Sequence, residues 1–288
     1  MHDVPAAGAA WSATMRRGDK AELADWLAFA HATCDAADLI ALAAFRTEIA
    51  TERKADGSYV TEADQAVERL VRARIAARYP DHGLVGEEYG EQDAGAGGER
   101  WYIDPIDGTH NFLRGIPMFG TLLAVERDGE VQVGMISAPA IGQRWWASRG
   151  GGAWVRGGPA NPPEPRRLAV SGVGDLARSQ ILFRSIRDME ASRVAAGFDR
   201  LIHLAWRERG FGDFWGYTLV ADGIAEAVLE QDLHPWDLAA PWVIVEEAGG
   251  RITDFDGRRS LGRGEGFATN GVLHEAILEL LHEGPTAD

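Results

Sequence analysis

Residues 101–109 read WYIDPIDGT, an apolar run that leads into two carboxylates three positions apart. Pro105 fixes its backbone φ and is expected to end the strand ladder, and Gly108 permits a tight turn. Such a turn can aim Asp104 and Asp107 at one point, where the two charges repel unless a cation lies between them. Oxygen ligands suit Mg²⁺ or Mn²⁺ better than Zn²⁺. Because the pattern alone is an ordinary turn in most sequences, it predicts a cation site only together with other acids.

Three further acidic motifs accompany this stretch. Glu87 and Glu88 directly follow the apolar run at 84–85. Asp64 and Asp237 each stand at the start of a helical pattern. Each motif has an ordinary explanation, since adjacent acids form solvated loops and an aspartate before a helix caps its first turn. A metal ligand can also lie at a helix start, so the prediction depends on all four motifs occurring together.

The rest of the chain mixes helical and strand-like patterns. Residues 1–20 are rich in Ala and Gly and aperiodic, which indicates a loose extension. An Asp-Gly pair at 128–129 predicts a β-hairpin. Since helices and strands do not alternate strictly, we expect sheets layered with helices. The patterns predict helices over 21–45, from 64 to before Pro80, and over 213–221, 237–248 and 273–282, and strands over 84–86, 101–103, 119–125, 131–137, 144–148, 225–230, 251–254 and 266–269, with a loop or short strands at 49–63.

Composition excludes several classes of function. The 288 residues are 45% apolar and carry 44 acidic and 29 basic side chains, a net charge of −15. Such acidity repels nucleic-acid backbones and anionic membranes, so neither is expected as a partner. Cys34 is the only cysteine, which rules out a disulfide within the chain. No uninterrupted apolar run reaches membrane-spanning length, and the N-terminus lacks the order of a secretory signal, so we expect a cytoplasmic protein.

The combined motifs resemble the inositol monophosphatase family of Mg²⁺-dependent, Li⁺-sensitive phosphatases. The matching segments are 86–88 (GEE), 104–112 (DPIDGTHNF), 236–240 (WDLAA) and 247–250 (EAGG), within a similarity that spans about residues 21–283. The resemblance implies an α/β (α+β) fold, the layered α-β-α-β-α sandwich of the inositol monophosphatase and fructose-1,6-bisphosphatase type. It also implies two lobes, at about 21–155 and 156–283, and a homodimer.

The resemblance further implies a role for each matching residue. Two or three Mg²⁺ ions would be bound, with Mn²⁺ as a possible substitute, and metal-activated water would attack the phosphate in line. The ligands would be the side chains of Glu87, Asp104, Asp107 and Asp237 and the carbonyl oxygen of Ile106. Backbone N–H groups of Gly108 and Thr109 would hold the phosphate, Asp64 would hydrogen-bond Thr109 and orient the water, Glu88 would support the ligands, and Lys54 would lie on a loop near the site. The catalytic set is therefore Asp64, Thr109, Glu87 and Asp107.

Two features favour histidinol phosphate as the substrate. Segments 136–150 and 212–217 resemble the histidinol-phosphate phosphatases of this superfamily. That substrate carries a cationic amine, which Asp213 and Glu230 could meet, and a flat imidazole, which Trp215 or Phe214 could cover. The aromatic residues of 211–217 are equally well explained as core residues of a helix. An acid at Glu230 is also expected in inositol phosphatases, so this residue does not discriminate between the two substrates.

Other functions remain open at this level. The main alternative is an inositol 1-phosphate or broad sugar-phosphate phosphatase. A phosphatase for 3′-phosphoadenosine 5′-phosphate would need a basic cluster for its second phosphate, and none is obvious in the sequence. A non-catalytic relative that regulates a partner would be expected to have lost one of the ligands. The sequence therefore predicts a small phosphomonoester as the partner.

Overall fold

A computed structural model of the protein describes residues 17–53, 59–95, 98–158 and 164–283. The helices are α1 (Arg17–Ala44), α2 (Glu62–Arg78), α3 (Thr109–Leu113), α4 (Ile186–Glu190), α5 (Ala195–Leu204), α6 (Asp213–Ala221), α7 (Pro235–Glu247) and α8 (His274–His282). The strands are β1 (Thr51–Arg53), β2 (Tyr59–Thr61), β3 (Gly83–Gly86), β4 (Gly90–Gln92), β5 (Arg100–Asp107), β6 (Gly120–Arg127), β7 (Glu130–Ala138), β8 (Gln143–Ser148), β9 (Gly152–Gly157), β10 (Arg166–Arg167), β11 (Gln180–Phe183), β12 (Arg207–Arg209), β13 (Ala227–Gln231), β14 (Arg251–Thr253) and β15 (Glu265–Thr269). The predicted residue Lys54 and residues 1–16 of the predicted extension lie outside the described ranges.

Two mixed sheets form the framework. One has the strand order β10-β9-β8-β7-β6-β5-β3-β4, and the other has the order β12-β11-β13-β15-β14. Both sheets pack against helices on each face. Alternate side chains of a strand point to opposite faces of the sheet, so a single strand contributes to the packing on both sides. In β6, for example, Leu123 packs toward α1 and α2, whereas Leu122 packs in the core that contains α6 and α7. In β13, Val228 belongs to that same central core and Leu229 to the one formed with α5 and α8.

The resulting layers are α1 and α2, the first sheet, α6 and α7, the second sheet, and α5 with α8. This order confirms the predicted layered fold. Strands β9 and β10 lie on either side of residues 159–163 and pair with each other in the first sheet. The division into two lobes near residue 155 stays a prediction.

Helix α1 differs from its prediction in two ways. It begins at Arg17 rather than Ala21, so the last residues of the predicted loose extension are helical. By length and composition, its segment Lys20–Ala44 is also apolar enough to cross a membrane, which the sequence reading did not expect. The buried face of α1, which includes Trp26, Ala30 and Cys34, packs against α2 and the first sheet. Since core helices pass the same test, this helix is weak evidence for a membrane span.

Two aspartates predicted as helix caps lie inside the helices instead. Thr61 is the N-cap of α2, and Asp64 is the third helical residue, whose Oδ2 accepts the Thr61 N–H at 2.8 Å. Likewise, Asp237 is the third residue of α7 and its Oδ2 accepts the His234 N–H at 2.7 Å. In both cases the carboxylate reaches back to the residue before the helix, as in a capping box. Each aspartate is thereby held by its local backbone.

Pro105 does not end the ladder, contrary to the prediction. Strand β5 continues to Asp107, and its pairing with β6 shifts between Asp104 and Asp107, so that one extra residue is accommodated there. Such a bulge bends the strand locally and re-aims side chains. Gly108 follows with φ 82°, and a Cβ at this position would stand 2.9 Å from the carbonyl oxygen of Met118. Only glycine fits this turn without displacement of its neighbour.

Candidate active site

The predicted metal-binding residues meet at one edge of the first sheet. Strands β3 and β5 are parallel neighbours, with Gly86 opposite Ile103, so their carboxyl ends place Glu87 beside Asp104. The Glu87 N–H donates to the Ile103 carbonyl at 3.2 Å, which continues the ladder into the turn. Asp237 approaches the same edge from the start of α7. A cleft of about 940 Å³ opens there and is lined by the predicted residues Glu87, Asp104, Ile106, Asp107, Gly108, Thr109, Asp213, Trp215 and Asp237.

The carboxylates at this edge raise one another's pKa. Burial raises the pKa of Asp104 well above its ordinary value, and the charges of Glu87 and Asp107 add to the effect. Burial also raises the pKa of Asp107, followed by the charges of Asp213 and Asp237. The pKa of Asp237 rises to about 7, mainly through burial, although its bond from the His234 N–H opposes the shift. The site therefore stores unfavourable negative charge that a cation would relieve.

Asp64 and Thr109 do not form the hydrogen bond that the resemblance implied. The Thr109 hydroxyl donates to the Ile106 carbonyl at 3.0 Å. Asp64 is fully buried, and its Oδ2 accepts from both the backbone and the hydroxyl of Thr61. Burial raises the pKa of Asp64 to about 6, although the bonds from Thr61 oppose this. The Asp64 Oδ1 atom has no hydrogen-bond partner among the described residues.

A buried glutamate of α2 supports the turn that carries Glu87. Glu68 is fully buried and accepts the backbone N–H groups of Glu88 at 2.7 Å and Tyr89 at 3.2 Å, and it also pairs with Arg72. The fit is tight, because a Cβ on Gly86 would stand 2.1 Å from Glu68 Oε1. Glu88, which was predicted to support the ligands, thus belongs to a turn fixed through its own backbone.

The opposite wall of the cleft is formed by the start of α6. The Phe214 N–H donates to Asp107 Oδ2 at 2.5 Å, which ties this wall to the acidic edge. Asp213 lines the cleft, and Trp215 is half-buried beside it. Phe214 is buried in the central core, as the simpler explanation of the aromatic segment predicted. Glu230, predicted as a substrate contact, does not line the cleft: it is 1% exposed and lies behind Asp213, whose N–H it accepts at 2.9 Å.

Several lining residues escaped the sequence reading. Arg184 and Asp188 come from the region of β11 and α4, where no motif marked them, and Arg184 Nε donates to Asp188 Oδ2 at 3.1 Å. Asp232 lies at the end of β13 with a positive φ of 59°, a conformation that is uncommon for residues other than glycine. His234 and Trp236 also line the cleft, and their rings stack with centroids 4.6 Å apart. These two were within reach of the sequence, because Trp236 belongs to the matching segment 236–240 and His234 lies three residues before Asp237.

The donor set fits a hard cation. The Oδ1 atom of Asp104, a residue 2% exposed, has no hydrogen-bond partner among the described residues, and its charged neighbours include Glu87, Asp107 and Asp237. An unpaired buried carboxylate oxygen is costly unless a cation meets it. Within the described ranges, no three His, Cys, Asp or Glu side chains already stand close enough to hold one ion together. Ligation by these residues would therefore involve adjustment of their side chains.

Comparison with known proteins identifies the family. A model of the inositol monophosphatase family matches residues 22–286. The chain belongs to this family. A histidinol-phosphatase from Mycobacterium tuberculosis is 40% identical over 261 residues, which cover 90% of this chain and 99% of the relative. An inositol-1-monophosphatase from Mesorhizobium japonicum is 32% identical over 230 residues, 78% of this chain and 84% of the relative.

The solved structures agree with this membership. The extragenic suppressor protein suhB from Bartonella henselae matches with a TM-score of 0.81 at 25% identity, over 90% of this chain and 99% of that one. Members of the inositol monophosphatase family are metal-dependent phosphatases. The acidic edge and the cleft therefore form the candidate active site of a phosphoric monoester hydrolase.

Proposed function

We propose that the chain is a Mg²⁺-dependent phosphomonoesterase that hydrolyses L-histidinol phosphate to L-histidinol and phosphate. The observation that carries this proposal is the placement of acidic and aromatic side chains on two walls of one cleft. At one edge, the charges of Glu87, Asp107 and Asp237 lie near an unpaired oxygen of the buried Asp104, and the opposite wall includes both Asp213 and Trp215. The first arrangement suits a metal and a phosphate, and the second suits a flat, cationic leaving group.

The metal would be held by oxygen atoms of the predicted ligands. These residues and Ile106 all line the cleft, and an oxygen-only set favours Mg²⁺, with Mn²⁺ as a substitute. The family resemblance implies two or three ions. When bound, the metal would neutralise phosphate oxygens, lower the pKa of a water and stabilise the leaving alkoxide. The ligand side chains are those of Glu87, Asp104, Asp107 and Asp237.

The remaining residues of the site position the reactants. The backbone N–H groups of Gly108 and Thr109, in the turn after β5, would hold phosphate oxygens. Asp64 has an unpaired Oδ1, so it can accept a proton or a hydrogen bond if the Thr109 hydroxyl turns from Ile106 toward it. Asp213 would pair with the substrate ammonium, and Trp215 would cover the imidazole. The scheme needs no covalent intermediate on the protein.

The relatives favour histidinol phosphate over inositol 1-phosphate. The histidinol-phosphatase at 40% identity covers more of this chain than the inositol-1-monophosphatase at 32%. The cleft wall supports the same choice, because Asp188, Asp213 and Asp232 outnumber the one arginine, Arg184. The hydroxyls of an inositol ring can donate to carboxylates, but only a cationic group such as the substrate ammonium also compensates their charge. We also propose that the protein is cytoplasmic and, as the family resemblance implies, a homodimer. The acidic net charge disfavours nucleic acid and anionic membranes as partners.

Phosphate release from four esters tests the proposal. L-Histidinol phosphate, inositol 1-phosphate, fructose 1,6-bisphosphate and 3′-phosphoadenosine 5′-phosphate are compared with Mg²⁺ present, and again with EDTA. We expect the highest kcat/KM for L-histidinol phosphate and no turnover in EDTA. A preference for inositol 1-phosphate would overturn the substrate, and a zero rate on every ester with Mg²⁺ would indicate a non-catalytic relative.

A further inference from the structure

We propose that Glu230 is a positioning residue, which holds the Asp213 carboxylate in place for the substrate amine without touching the substrate. This inference rests on the proposed function, because it concerns how the same cleft selects a cationic ester. It replaces the sequence-based expectation that Glu230 meets the amine directly. What Glu230 supplies is a hydrogen-bond acceptor for the backbone of the neighbouring turn.

The position of Glu230 sets it back from the surface of the cleft. It lies in β13 beneath the wall, is 1% exposed, and is not among the residues that line the cleft. Its Oε1 accepts the Asp213 N–H at 2.9 Å. The turn lies close over it, since a Cβ on Gly212 would stand 2.4 Å from Oε1 and 2.5 Å from the Arg184 Cα. A substrate atom would have to displace this turn to reach the carboxylate.

The turn needs such support because its backbone is strained. Asp213 has a φ of 55°, in the left-handed region that residues other than glycine rarely adopt. Conformations of this kind persist only where the surroundings determine them, and they concentrate at ligand sites. The bond from the Asp213 N–H to Glu230 is the contact that holds this residue from below. The Asp213 Oδ2 atom also accepts from the Asn111 side chain at 3.3 Å, which fixes the carboxylate from the other side.

The same turn reaches the metal-binding edge. The next N–H, that of Phe214, donates to Asp107 Oδ2 at 2.5 Å. Two consecutive backbone N–H groups at the start of α6 are therefore committed to two carboxylates, one behind the wall and one in the cleft. If the bond to Glu230 is lost, the turn can relax. The Asp213 carboxylate would then move, and the bond from the Phe214 N–H that orients Asp107 would weaken.

The decisive comparison separates an acceptor from a charge. Glu230→Gln keeps an oxygen that can accept the Asp213 N–H but cannot carry a negative charge at any pH, whereas Glu230→Leu offers neither an acceptor nor a charge. Asp213→Asn removes the charge that would face the amine. The readout is the ratio of kcat/KM for L-histidinol phosphate to that for 3-(imidazol-4-yl)propyl phosphate, which lacks only the amine. Calorimetric binding of L-histidinol in the presence of Mg²⁺ gives a second readout that does not depend on turnover.

We expect the wild-type protein to prefer the amine-bearing ester by about tenfold or more, the worth of a hydrogen bond to a charged group. Asp213→Asn and Glu230→Leu should reduce this preference to about threefold or less and weaken L-histidinol binding in step. Glu230→Gln should retain most of both. If Glu230→Gln instead loses the preference as fully as Asp213→Asn, Glu230 acts through its charge and the inference is wrong.

Glu226 provides a matched control immediately before the same strand. It is 5% exposed, and its Oε2 accepts the backbone N–H of Gln180 at 2.6 Å, far from the cleft wall. Glu226→Leu should lower the melting temperature but leave the amine preference unchanged. A folded Glu230→Leu that also keeps the wild-type preference would overturn the inference while the proposed function stands. If Glu230→Leu fails to fold, Glu230→Ala takes its place, because it also removes the acceptor of the Asp213 N–H and must lower the preference if the inference is right.

A different outcome identifies failure of the proposed function itself. If the wild-type protein hydrolyses neither imidazole ester but does hydrolyse inositol 1-phosphate, the substrate is wrong. The positioning role is then read from the Mg²⁺ affinity, measured by calorimetry, because Phe214 also orients Asp107. Weaker Mg²⁺ binding in Glu230→Leu than in Glu226→Leu supports the role, and equal binding contradicts it.

Discussion

Arg144 and Asp104 lie at the centres of two buried charged clusters that differ in how the charge is balanced. Arg144 is 6% exposed and pairs with Asp35 at 2.7 Å and Asp38 at 2.6 Å, between α1 and the first sheet. Asp104 is 2% exposed, and the charges that shift its pKa are all carboxylates. The chain thus pairs Arg144 directly with opposite charges, whereas the charges nearest Asp104 have the same sign as its own carboxylate.

This difference separates a structural cluster from a functional one. Buried charges that are paired within the chain fix a local arrangement, and removal of one partner leaves the other uncompensated. Buried charges of one sign destabilise the folded chain until something from solution joins them. Substitutions in the Arg144 cluster should therefore lower stability and spare turnover, whereas substitutions in the Asp104 cluster should do the reverse.

The largest expected effect is that of Asp104→Asn. Loss of this ligand should lower kcat by several powers of ten, at least about 10³-fold, because the phosphate charge is no longer neutralised. The fold should remain, since the amide removes a buried negative charge among other acids. Phosphate release and the melting temperature in EDTA measure the two effects. Turnover close to that of the wild-type protein would contradict the proposal that Asp104 is a ligand of a catalytic metal.

Arg144→Met should have the next largest effect, now on stability. Removal of the arginine leaves Asp38, whose side chain is 17% exposed, without its partner, while Asp35 at 63% is solvated and costs little. We expect a loss of about 3 kcal/mol in the free energy of unfolding by urea, with an unchanged kcat for the folded fraction. A matching loss of kcat would show that the two clusters are coupled and that the comparison is wrong.

The two clusters also differ in how far the sequence could predict them. The acids of the second lie in recognisable motifs, so the fold and the family followed from residues such as Asp104 and Asp237, while their role as metal ligands stays a prediction. Neither Arg184 nor the burial of Glu230 could be found this way. Both depend on which face of a strand meets a helix more than 100 residues from the metal-binding motif, as in the contact between Asp107 and Phe214.

Local chemistry explains the smaller errors of prediction. An aspartate near a helix start can cap the helix or reach back from its third residue, and the two differ by only a few positions in sequence. Asp64 and Asp237 do the second. Pro105 was expected to end a strand, but a bulge absorbed it because Asp107 still pairs opposite Gly120 in β6. Tertiary pairing overrode the local preference in that case.

The third effect is on how stability depends on pH without metal. The pKa of Asp237 is raised to about 7, so its contribution to stability is present below its ordinary pKa near 4 and is lost as the pH rises through 7. In EDTA, Asp237→Asn should therefore gain stability over the wild-type protein between pH 5 and pH 8, by on the order of 2 kcal/mol. Urea unfolding of both proteins at each pH measures the difference.

Two controls accompany this measurement. Burial lowers the pKa of His274 to about 3 and of His31 to about 4, so the protein loses stability from these residues as the pH falls below 6.5. Both proteins contain these histidines, so their effect cancels in the difference. Saturating Mg²⁺ should reverse the order of the two proteins at pH 8. A difference that does not change with pH would show that Asp237 is not the source.

The smallest expected effect is that of Ser137→Ala in the balanced cluster. The Ser137 hydroxyl donates to Asp38 Oδ2 at 2.8 Å and accepts from Arg144 Nε at 3.0 Å, so it links the two charged partners. Its loss should cost about 1 kcal/mol of unfolding free energy, because the direct ion pair between Arg144 and Asp38 remains. Urea unfolding measures this cost, and kcat should not change. A loss as large as that of Arg144→Met would mean that the hydroxyl, rather than the opposite charges, holds the cluster together.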